Sequence, residues 1–517
     1  MKRLSGIITI NLFSEQQKQK IFDIINKNQN LFKEFIIVGD TIPEEIRKNK
    51  KVRFVRSCLE SVSCLLNKAI LNCSSEYYVI LPPLVINFDN RFLLEVLKCD
   101  NDKVGIIYCD YKIYDETNGT EKVYNLFDYN GDFTERFNFG AIEVYKKSVW
   151  EKLHGYDINY CTSIAVNYKY KLMLKQKGYK FVHVNKPLYT VFYTKETSLL
   201  FSAFRYLQYS PIEEKEIENV FYEFLKLNNV FLEHKNYKIV YPKGQKFSPL
   251  LSIVSPTYNR EKWVAKAIDS VLQNTFKDWE LIFVDNASTD KTVDVIKKYI
   301  EKDKRIRLIQ LPMYQESAIS YCLNVGIKNA RGKYYVQLDS DDEYTKYTLE
   351  EVVDYMESNP DIALAVSYYD LIDENSNKIT ELGVVKHLEY NRNNILRVEG
   401  AGALRVWHIK VMKELGLFDE KNFGSFGEDY DLVLKTSELY NVGRIHSVLY
   451  HYRRHQEVTD VLRDPKTKVY NKTYARLLAF ERRKKINMLL KKYKTKDINK
   501  IPKSQILQLY KNGGKNI

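Results

Sequence analysis

The chain has 517 residues, 44% of them hydrophobic, and a formal net charge of +14. This length exceeds what one hydrophobic core supports and predicts two to four domains. No stretch approaches the ~20 uncharged apolar residues of a membrane span, and the first residues lack the apolar segment of a signal peptide. Seven scattered cysteines form no Cys-x-x-Cys pair and no zinc spacing. We therefore expect a protein of the reducing cytoplasm.

The positive charge is concentrated at the C-terminal end of the chain. Residues 461–517 contain 17 Lys and Arg but 3 Asp and Glu, a balance that equals the +14 of the whole chain. The rest of the chain is therefore neutral overall. A neutral body with a basic tail, and no recognition motif, argues against nucleic-acid binding.

The first 200 residues alternate short apolar stretches with helix-length segments. The apolar stretches predict buried strands at 7–10, 35–38, 77–81 and 104–108. Strands separated by helices predict a parallel sheet with helices on its faces, and so a first α/β domain at 1–200. Residues 201–247 are interpreted as a helical linker that the Tyr-Pro-Lys-Gly run at 241–244 ends. A second α/β domain is predicted at 248–460, followed by a basic helical tail at 461–517.

The two α/β domains read as copies of one another. The segments 5–9, 34–38, 77–81 and 140–142 match, in the same order, the segments 252–256, 280–284, 334–338 and 402–404. The first copy lacks the acidic residues of the second: it has Pro82 and Pro83 at the positions of Asp339 and Ser340. Tyr168 and Lys169 are placed opposite Glu428 and Asp429. We interpret the first copy as a domain without a metal site that serves packing, homo-oligomer formation or glycan binding.

An acidic cluster follows the strand predicted at 334–338. Asp339, Asp341 and Asp342 come directly after this apolar run. Ligands of open α/β sheets bind beyond the carboxyl ends of strands, and carboxylates spaced in this way suit a hard divalent cation. The alternative interpretation is a solvated acidic turn.

Two further turns are predicted at the same edge of the sheet. The strand beginning at Leu251 runs into Pro256, Thr257, Tyr258 and Asn259, and the strand at 281–284 ends at Asp285. A tyrosine ring can stack on a nucleotide base, and a carboxylate can accept a hydrogen bond from a base N–H group. The alternative is an ordinary loop that leads to a helix cap at Asp290.

Taken in order, these motifs resemble those of the inverting family 2 glycosyltransferases of the GT-A fold, over about residues 250–456. The motifs are Ser-Ile-Val-Ser-Pro-Thr-Tyr-Asn at 252–259, Val-Asp-Asn-Ala-Ser-Thr-Asp at 284–290, Leu-Asp-Ser-Asp-Asp at 338–342 and Gly-Glu-Asp-Tyr-Asp-Leu at 427–432. The resemblance implies two tandem GT-A domains, the first of them degenerate. It also implies a nucleotide-sugar donor, most often a uridine one, and Mn²⁺ or Mg²⁺ as cofactor.

The resemblance assigns the donor side of the site residue by residue. Thr257, Tyr258 and Asp285 would hold the base, with Pro256 and Asn259 in the same turn. Asp339 would reach the ribose or the metal, and Asp341 would be the principal metal ligand. His455 would bind metal or diphosphate, and Arg453 would support the leaving diphosphate. The alternative for His455 is a surface histidine in a basic loop.

On the acceptor side, the resemblance implies that Asp429 is the general base and that Glu428 positions the base or the acceptor. Displacement at an anomeric carbon needs a deprotonated hydroxyl, and an acidic neighbour raises the pKa of a carboxylate base towards the working pH. The alternative is an acid-rich helix N-terminus, which the helix dipole favours.

The chain departs from the family pattern in places. Leu323 stands where an Arg is common, and no Gln-x-x-Arg-Trp motif of processive synthases follows Asp429. We therefore expect transfer of single sugars to a glycan, a lipid-linked acceptor or a protein in cell-surface glycan synthesis. Two alternatives remain: a non-catalytic glycan-binding scaffold, and a nucleotidyltransferase, which would need a Gly-rich phosphate loop.

The basic tail carries apolar residues at helical spacing between 466 and 496, interleaved with the run Arg482-Arg483-Lys484-Lys485. A basic amphipathic helix suits an anionic membrane surface, so peripheral contact with the inner face of the plasma membrane is one interpretation. The other is a helix packed on the domain with one solvated face.

Overall fold

The computed structural model describes residues 3–9, 14–57, 61–193, 205–312, 318–380, 383–398, 400–424, 426–457 and 462–511, so that Ile10 and Cys58 lie outside the described residues. The chain divides into two compact units, Met1–Phe224 and Leu225–Ile517. Each unit has a mixed sheet with helices, and helices end the chain. The predicted α/β class with a helical C-terminal region is therefore confirmed.

The first unit contains a seven-stranded sheet in the order β10-β6-β9-β4-β1-β2-β3 and a four-stranded sheet in the order β5-β11-β7-β8. Its strands are β1 Leu4–Thr9, β2 Glu34–Gly39, β3 Val52–Arg56, β4 Tyr77–Ile80, β5 Val85–Phe88, β6 Val104–Cys109, β7 Tyr111–Asp115, β8 Thr120–Tyr124, β9 Glu143–Lys146, β10 Lys180–Val184 and β11 Tyr189–Phe192. Its helices are Glu15–Lys27, Glu44–Arg47, Val62–Leu71, Phe92–Lys98, Lys147–Lys152 and Ser163–Gln176, followed by Pro211–Leu227, which ends beyond the unit.

The second unit contains one sheet in the order β14-β13-β12-β15-β19-β17-β20-β16, with β18 paired to β17. Its strands are β12 Leu251–Thr257, β13 Trp279–Asp285, β14 Ile306–Gln310, β15 Tyr334–Gln337, β16 Glu343–Tyr344, β17 Ile362–Ile372, β18 Val384–Val385, β19 Arg405–His408 and β20 Asn441–Arg453. Its helices are Val264–Leu272, Thr292–Lys302, Ala318–Asn329, Thr348–Ser358, Ile409–Glu414, Glu428–Leu439, Pro465–Lys492 and Lys503–Lys511.

The central strands of the second unit are buried along nearly their whole length. All seven residues of β13 and all four of β15 are buried. Strands covered by helices on both faces read as continuous apolar runs, which is why the sequence pattern predicted them. Polar side chains at the ends of these strands are therefore held on a rigid base.

The large sheets of the two units share strand order and direction. In both, four parallel strands are followed by an antiparallel strand, β9 in the first unit and β19 in the second. The same hydrogen bond joins two neighbouring strands in each, from Ser5 Oγ to Glu34 Oε1 at 2.9 Å and from Ser252 Oγ to Glu280 Oε1 at 2.8 Å.

The helix Ser163–Gln176 of the first unit precedes β10, as Glu428–Leu439 of the second unit precedes β20. The first turn of Ser163–Gln176 contains no acidic residue, whereas Glu428 and Asp429 begin the other helix. The residue-by-residue pairing of Tyr168 and Lys169 with Glu428 and Asp429 stays a prediction.

The basic tail forms the helix Pro465–Lys492, and its arginines point inward. Arg482 and Arg483 are buried, and the Nε of Arg482 lies 2.9 Å from Glu438 Oε2. Of the basic run, Lys484 and Lys485 are exposed. The packed-helix interpretation therefore describes this segment, and the two arginines are not available to a membrane surface. Within the described ranges, no helix combines the length and the apolarity that a membrane crossing requires.

Candidate active site

Three strands of the second unit end at one edge of its sheet and bring the predicted donor residues together. Thr257, the last residue of β12, is paired in register with Asp285, the last residue of β13. Strand β15 runs parallel to β12 on its other side, and the acidic cluster follows its end. Ser340 Oγ donates to the carbonyl of Pro256 at 2.9 Å, so the cluster is tied to the first turn.

The turns after β12 and β13 brace each other. Asn259 adopts a positive φ of 50°, and its Oδ1 accepts a hydrogen bond from Thr289 N at 2.8 Å. The buried carboxylate of Asp285 accepts bonds from Ser288 N and Oγ. Tyr258 is 43% exposed. Asn259 and Asp285 thus hold the turns in place, while the Tyr258 ring is open to solvent at the edge.

Asp342 anchors the acidic cluster to β20. Its Oδ1 accepts from Arg453 N at 2.7 Å and its Oδ2 from Tyr450 Oη at 2.8 Å. Burial, and then the charges of Asp341 and Asp339, raise the pKa of Asp342 well above its ordinary value. Burial and the neighbouring Asp341 also raise the pKa of Asp339. Crowded buried carboxyls do not all ionise together, so a cation in this cluster would relieve a real repulsion.

Asp341 is the carboxylate of the cluster that faces cationic and polar partners. Its Oδ2 lies 3.0 Å from Arg260 Nε and 3.1 Å from His455 Nε2. Burial alone would raise its pKa, but the hydrogen bond from His455 and the charge of Arg260 outweigh burial, and the pKa of Asp341 is lowered. The lowered pKa favours the ionised carboxylate, and in this structure Arg260 is the cation that pairs with it.

His455 is a buried residue, which differs from the surface-histidine alternative. Its ring stacks on Trp263 with 4.0 Å between centroids. Glu457 N donates to Nδ1 at 3.2 Å, so the ring hydrogen lies on Nε2 and is donated to Asp341. This arrangement fixes both the orientation and the tautomer of the imidazole.

Arg453 is also buried, and its donors are directed at protein groups. Nε donates to the carbonyl of Asp341 and Nη1 to the carbonyl of Asp373, both at 2.7 Å, and Nη2 pairs with Glu343. In this structure the guanidinium binds the backbone carbonyls of Asp341 and Asp373 beside the acidic cluster. Contact of Arg453 with a leaving diphosphate stays a prediction.

Glu428 and Asp429 begin the helix Glu428–Leu439, as the sequence predicted. The residue before them, Gly427, has a φ of 89°, which a side chain disfavours. Asp429 Oδ1 accepts from Tyr430 N at 2.7 Å. Glu428 is buried, and its Oε2 has no hydrogen-bond partner within the described part of the chain. Burial and the charge of Asp429 raise the pKa of Glu428 to about 8.

Arg405 links the two halves of the site, and the sequence analysis missed it. Its Nη1 lies 2.9 Å from Asp429 Oδ2, and its charge also acts on Asp339 and Glu428. Burial would lower the pKa of Arg405, but Asp429 and Asp339 outweigh burial and raise it. At neutral pH Glu428 therefore keeps its proton, and Asp429 is the member of the pair that faces the guanidinium.

The position of Arg405 follows from strand direction. Strand β19 is antiparallel to β15, so its first residue lies at the edge where β15 ends. Arg260, in contrast, directly follows the predicted turn at 256–259, but no feature of the sequence assigned it a function. Among the described residues there is no cluster of three His, Cys, Asp or Glu side chains placed to hold a metal ion.

Comparison with known proteins shows the family of the second unit. A family model described as glycosyl transferase family 2 matches residues 252–413. An uncharacterized glycosyltransferase of Methanocaldococcus jannaschii is 34% identical over 236 residues, which cover 44% of this chain and 79% of that protein. The chain belongs to glycosyltransferase family 2. The resemblance seen in the sequence is thus confirmed. The matched residues include the turns after β12, β13 and β15, whereas the helix that begins at Glu428 and the end of β20 lie outside the match.

Other relatives of this family 2 glycosyltransferase match over shorter stretches. A putative teichuronic acid biosynthesis glycosyltransferase of Bacillus subtilis is 34% identical over 110 residues, 21% of this chain and 43% of that protein. Among solved structures, S. aureus TarS 1-349 in complex with UDP-GlcNAc has a TM-score of 0.37 at 18% identity, covering 50% of this chain and 70% of that one. A Pyrobaculum calidifontis mannosyltransferase in complex with GDP-Man and Mn²⁺ has a TM-score of 0.32 at 16% identity, covering 48% of this chain and 78% of that one.

Proposed function

We propose that residues 248–460 transfer a single sugar from a nucleotide sugar, foremost a UDP-sugar, to an acceptor hydroxyl with inversion. The observation that carries this proposal is the convergence on one sheet edge of Thr257, Asp285 and Asp339 with Asp429, the last two through their shared partner Arg405. A nucleotide-diphosphate donor needs a base-binding end and a charge-neutralising end, and the acceptor needs a general base. The acceptor is a glycan, a lipid-linked sugar or a protein in surface-glycan synthesis.

In this proposal Tyr258 stacks on the base, while Asp285 accepts from its N–H group and Pro256 and Asn259 shape the turn. Asp339 lies nearest the ribose. Asp429 takes the proton of the acceptor hydroxyl. Glu428, neutral beside it, keeps a second negative charge away from the reacting oxygen, because burial and the neighbouring Asp429 raise the pKa of Glu428.

Metal dependence is part of the same proposal. The donor set suits Mn²⁺ or Mg²⁺, since Asp341 Oδ2 and His455 Nε2 lie 3.1 Å apart and Asp339 is close in sequence. His455 would have to give up its Nε2 hydrogen, and Arg260 would have to leave Asp341. The metal would supply positive charge to the leaving diphosphate. Arg260, released from Asp341, would then be available to the same diphosphate.

The first unit has no catalytic part in this proposal. Pro82 and Pro83 follow β4 where Asp339 and Ser340 follow β15. At the start of its corresponding helix, Glu216 accepts hydrogen bonds from Cys161 N at 2.9 Å and Thr162 N at 2.8 Å. The backbone N–H groups that precede the helix Ser163–Gln176 are thus satisfied within the first unit.

Calorimetric titration of UDP, GDP and CDP with and without Mn²⁺ tests the donor half of the proposal. Wild type is expected to bind UDP only with the metal, and Asp341→Ala to lose this binding. At UDP about 100-fold above its dissociation constant, the free energy of unfolding should rise by about 2.7 kcal/mol. Asp354→Ala, an exposed aspartate on the helix Thr348–Ser358, is the matched control. Failure of every nucleotide to bind would overturn the proposal.

The acceptor half is tested by UDP release from UDP-sugars. Asp429→Asn should bind UDP as wild type does, yet release it about 10²- to 10⁴-fold more slowly, as expected for loss of a general base. An unchanged rate would show that Asp429 is not the base.

A further inference from the structure

The second unit contains a cavity of about 480 Å³ that none of the site residues lines. Its polar lining is strongly basic. The charged and hydroxyl-bearing residues that define it are Tyr237, Lys238, Lys410, Glu414, Tyr440, Lys500 and Lys503. A volume of this size accommodates a small phosphorylated sugar or a lipid headgroup.

The cavity lies at the opposite edge of the sheet from the candidate active site. The helix Glu428–Leu439 has Asp429 in its first turn, at the active site. Tyr440 follows the last residue of this helix and lines the cavity. Twelve helical residues span about 18 Å. Strand β19 runs the same way, from Arg405 at the active-site edge to the segment that holds Lys410. The cavity is therefore a separate site and not an extension of the donor pocket.

Its charge balance is positive even after internal pairing. Glu414 is neutralised by Lys503, whose Nζ lies 2.7 Å from Oε2, and it also accepts a bond from Tyr440. Lys410 donates to the carbonyl of Val240 and keeps its charge. Lys238 and Lys500 are exposed and form no salt bridge within the described ranges. Three ammonium charges thus have no acidic partner in the cavity wall.

Two further features suit an anion. The helix Lys503–Lys511 begins at the cavity, and the first N–H groups of a helix have no partner inside it. Tyr237 is buried at the cavity wall, and its hydroxyl has no hydrogen-bond partner in the part of the chain that the structure describes. Burial, and then the charge of Glu414, raise the pKa of Tyr237 to about 12, so the group is a donor at neutral pH.

We propose that this cavity binds a phosphate group, carried either by a soluble sugar phosphate or by a lipid headgroup. Lysine ammonium groups bind phosphate as point charges, and a neutral ligand would leave three of them unpaired. The proposal also gives a role to the basic C-terminal region, since Lys500 and Lys503 belong to it while its arginines 482 and 483 are buried. It does not depend on the proposed transfer reaction.

The test is calorimetric titration of inorganic pyrophosphate at fixed ionic strength with EDTA, which removes metal-dependent binding at the donor site. The Lys238→Glu/Lys500→Glu variant should bind at least about tenfold more weakly, because two charge-assisted contacts are lost. The control Lys297→Glu/Lys298→Glu makes the same charge change at exposed positions of the helix Thr292–Lys302 and should bind as wild type does. Equal weakening in both variants, or no binding by wild type, would overturn the proposal.

Two added arms complete the test. Lys238→Ala/Lys500→Ala repeats it with a milder change, and thermal denaturation checks that each variant folds. Asp341→Ala should keep pyrophosphate binding, whereas its loss there would place the anion at the donor site and overturn the proposal. Cosedimentation with phosphatidylcholine vesicles containing phosphatidic acid, compared with titration of glucose 1-phosphate, then tells a lipid headgroup from a soluble phosphate.

Discussion

The raised pKa of Glu428 makes the stability of this protein depend on pH in a direction that one substitution can reveal. Burial and the neighbouring Asp429 raise the pKa of Glu428 from 4.5 to about 8. The folded protein therefore keeps a proton between pH 4.5 and 8 that the unfolded chain has lost. The contribution of Glu428 to the free energy of unfolding is fully present below pH 4.5 and is lost as the pH rises towards 8. The shift of its pKa corresponds to at most about 5 kcal/mol of stability.

Glu428→Gln removes this titration, because an amide is neutral in both states. Relative to wild type, the free energy of unfolding of the variant should grow by about 4 kcal/mol as the pH rises from 5 to 9. Urea denaturation of both proteins at each pH unit measures the difference, in which the titrations of groups distant from Glu428 cancel.

A difference between wild type and Glu428→Gln that stays constant within about 1 kcal/mol over this range would refute the reasoning. It would mean that Glu428 is already ionised in the folded protein. Glu301→Gln, at an exposed position of the helix Thr292–Lys302, is the control. Its difference from wild type should not change with pH between 6 and 9.

Three more predictions concern single contacts. Arg405→Met leaves Asp429 without its partner and should lower the unfolding free energy by about 2–3 kcal/mol, at the low end for a buried pair because Asp429 is partly exposed. Arg482→Met leaves the buried Glu438 without its cationic partner, with the Tyr510 hydroxyl still donating to it, and should cost about 3–5 kcal/mol by urea denaturation. Gly427→Ala forces a side chain to a φ of 89° and should cost about 1–2 kcal/mol.

The controls for these predictions are also single substitutions. Lys484→Met changes an exposed lysine on the same helix as Arg482 and should leave the midpoint of denaturation nearly unchanged. If it destabilises the protein as much as Arg482→Met, the buried ion pair is not the cause. For Gly427→Ala the control is Gly244→Ala, at another positive φ but with open space around it, which separates backbone strain from crowding.

The sequence was sufficient to predict which side chains meet on the donor side. Parallel strands end at the same edge of a sheet, so Thr257 and Asp285 had to be neighbours once their strands were recognised. The apolar runs of these strands are continuous because helices cover both faces, and that made them easy to find. The start of the helix at Glu428 was also visible, since acidic residues favour helix N-termini.

Other features depended on tertiary structure. Arg405 reaches Asp429 because an antiparallel strand is inserted beside β15, and strand direction cannot be read from an apolar run. The inward direction of Arg482 was hidden for a similar reason, since helical spacing shows that a helix has two faces and not which neighbour covers them. Local residue patterns thus determined the elements and the ends where polar groups gather. Which charges pair across those ends was decided by packing, because ion pairs join residues far apart in the chain.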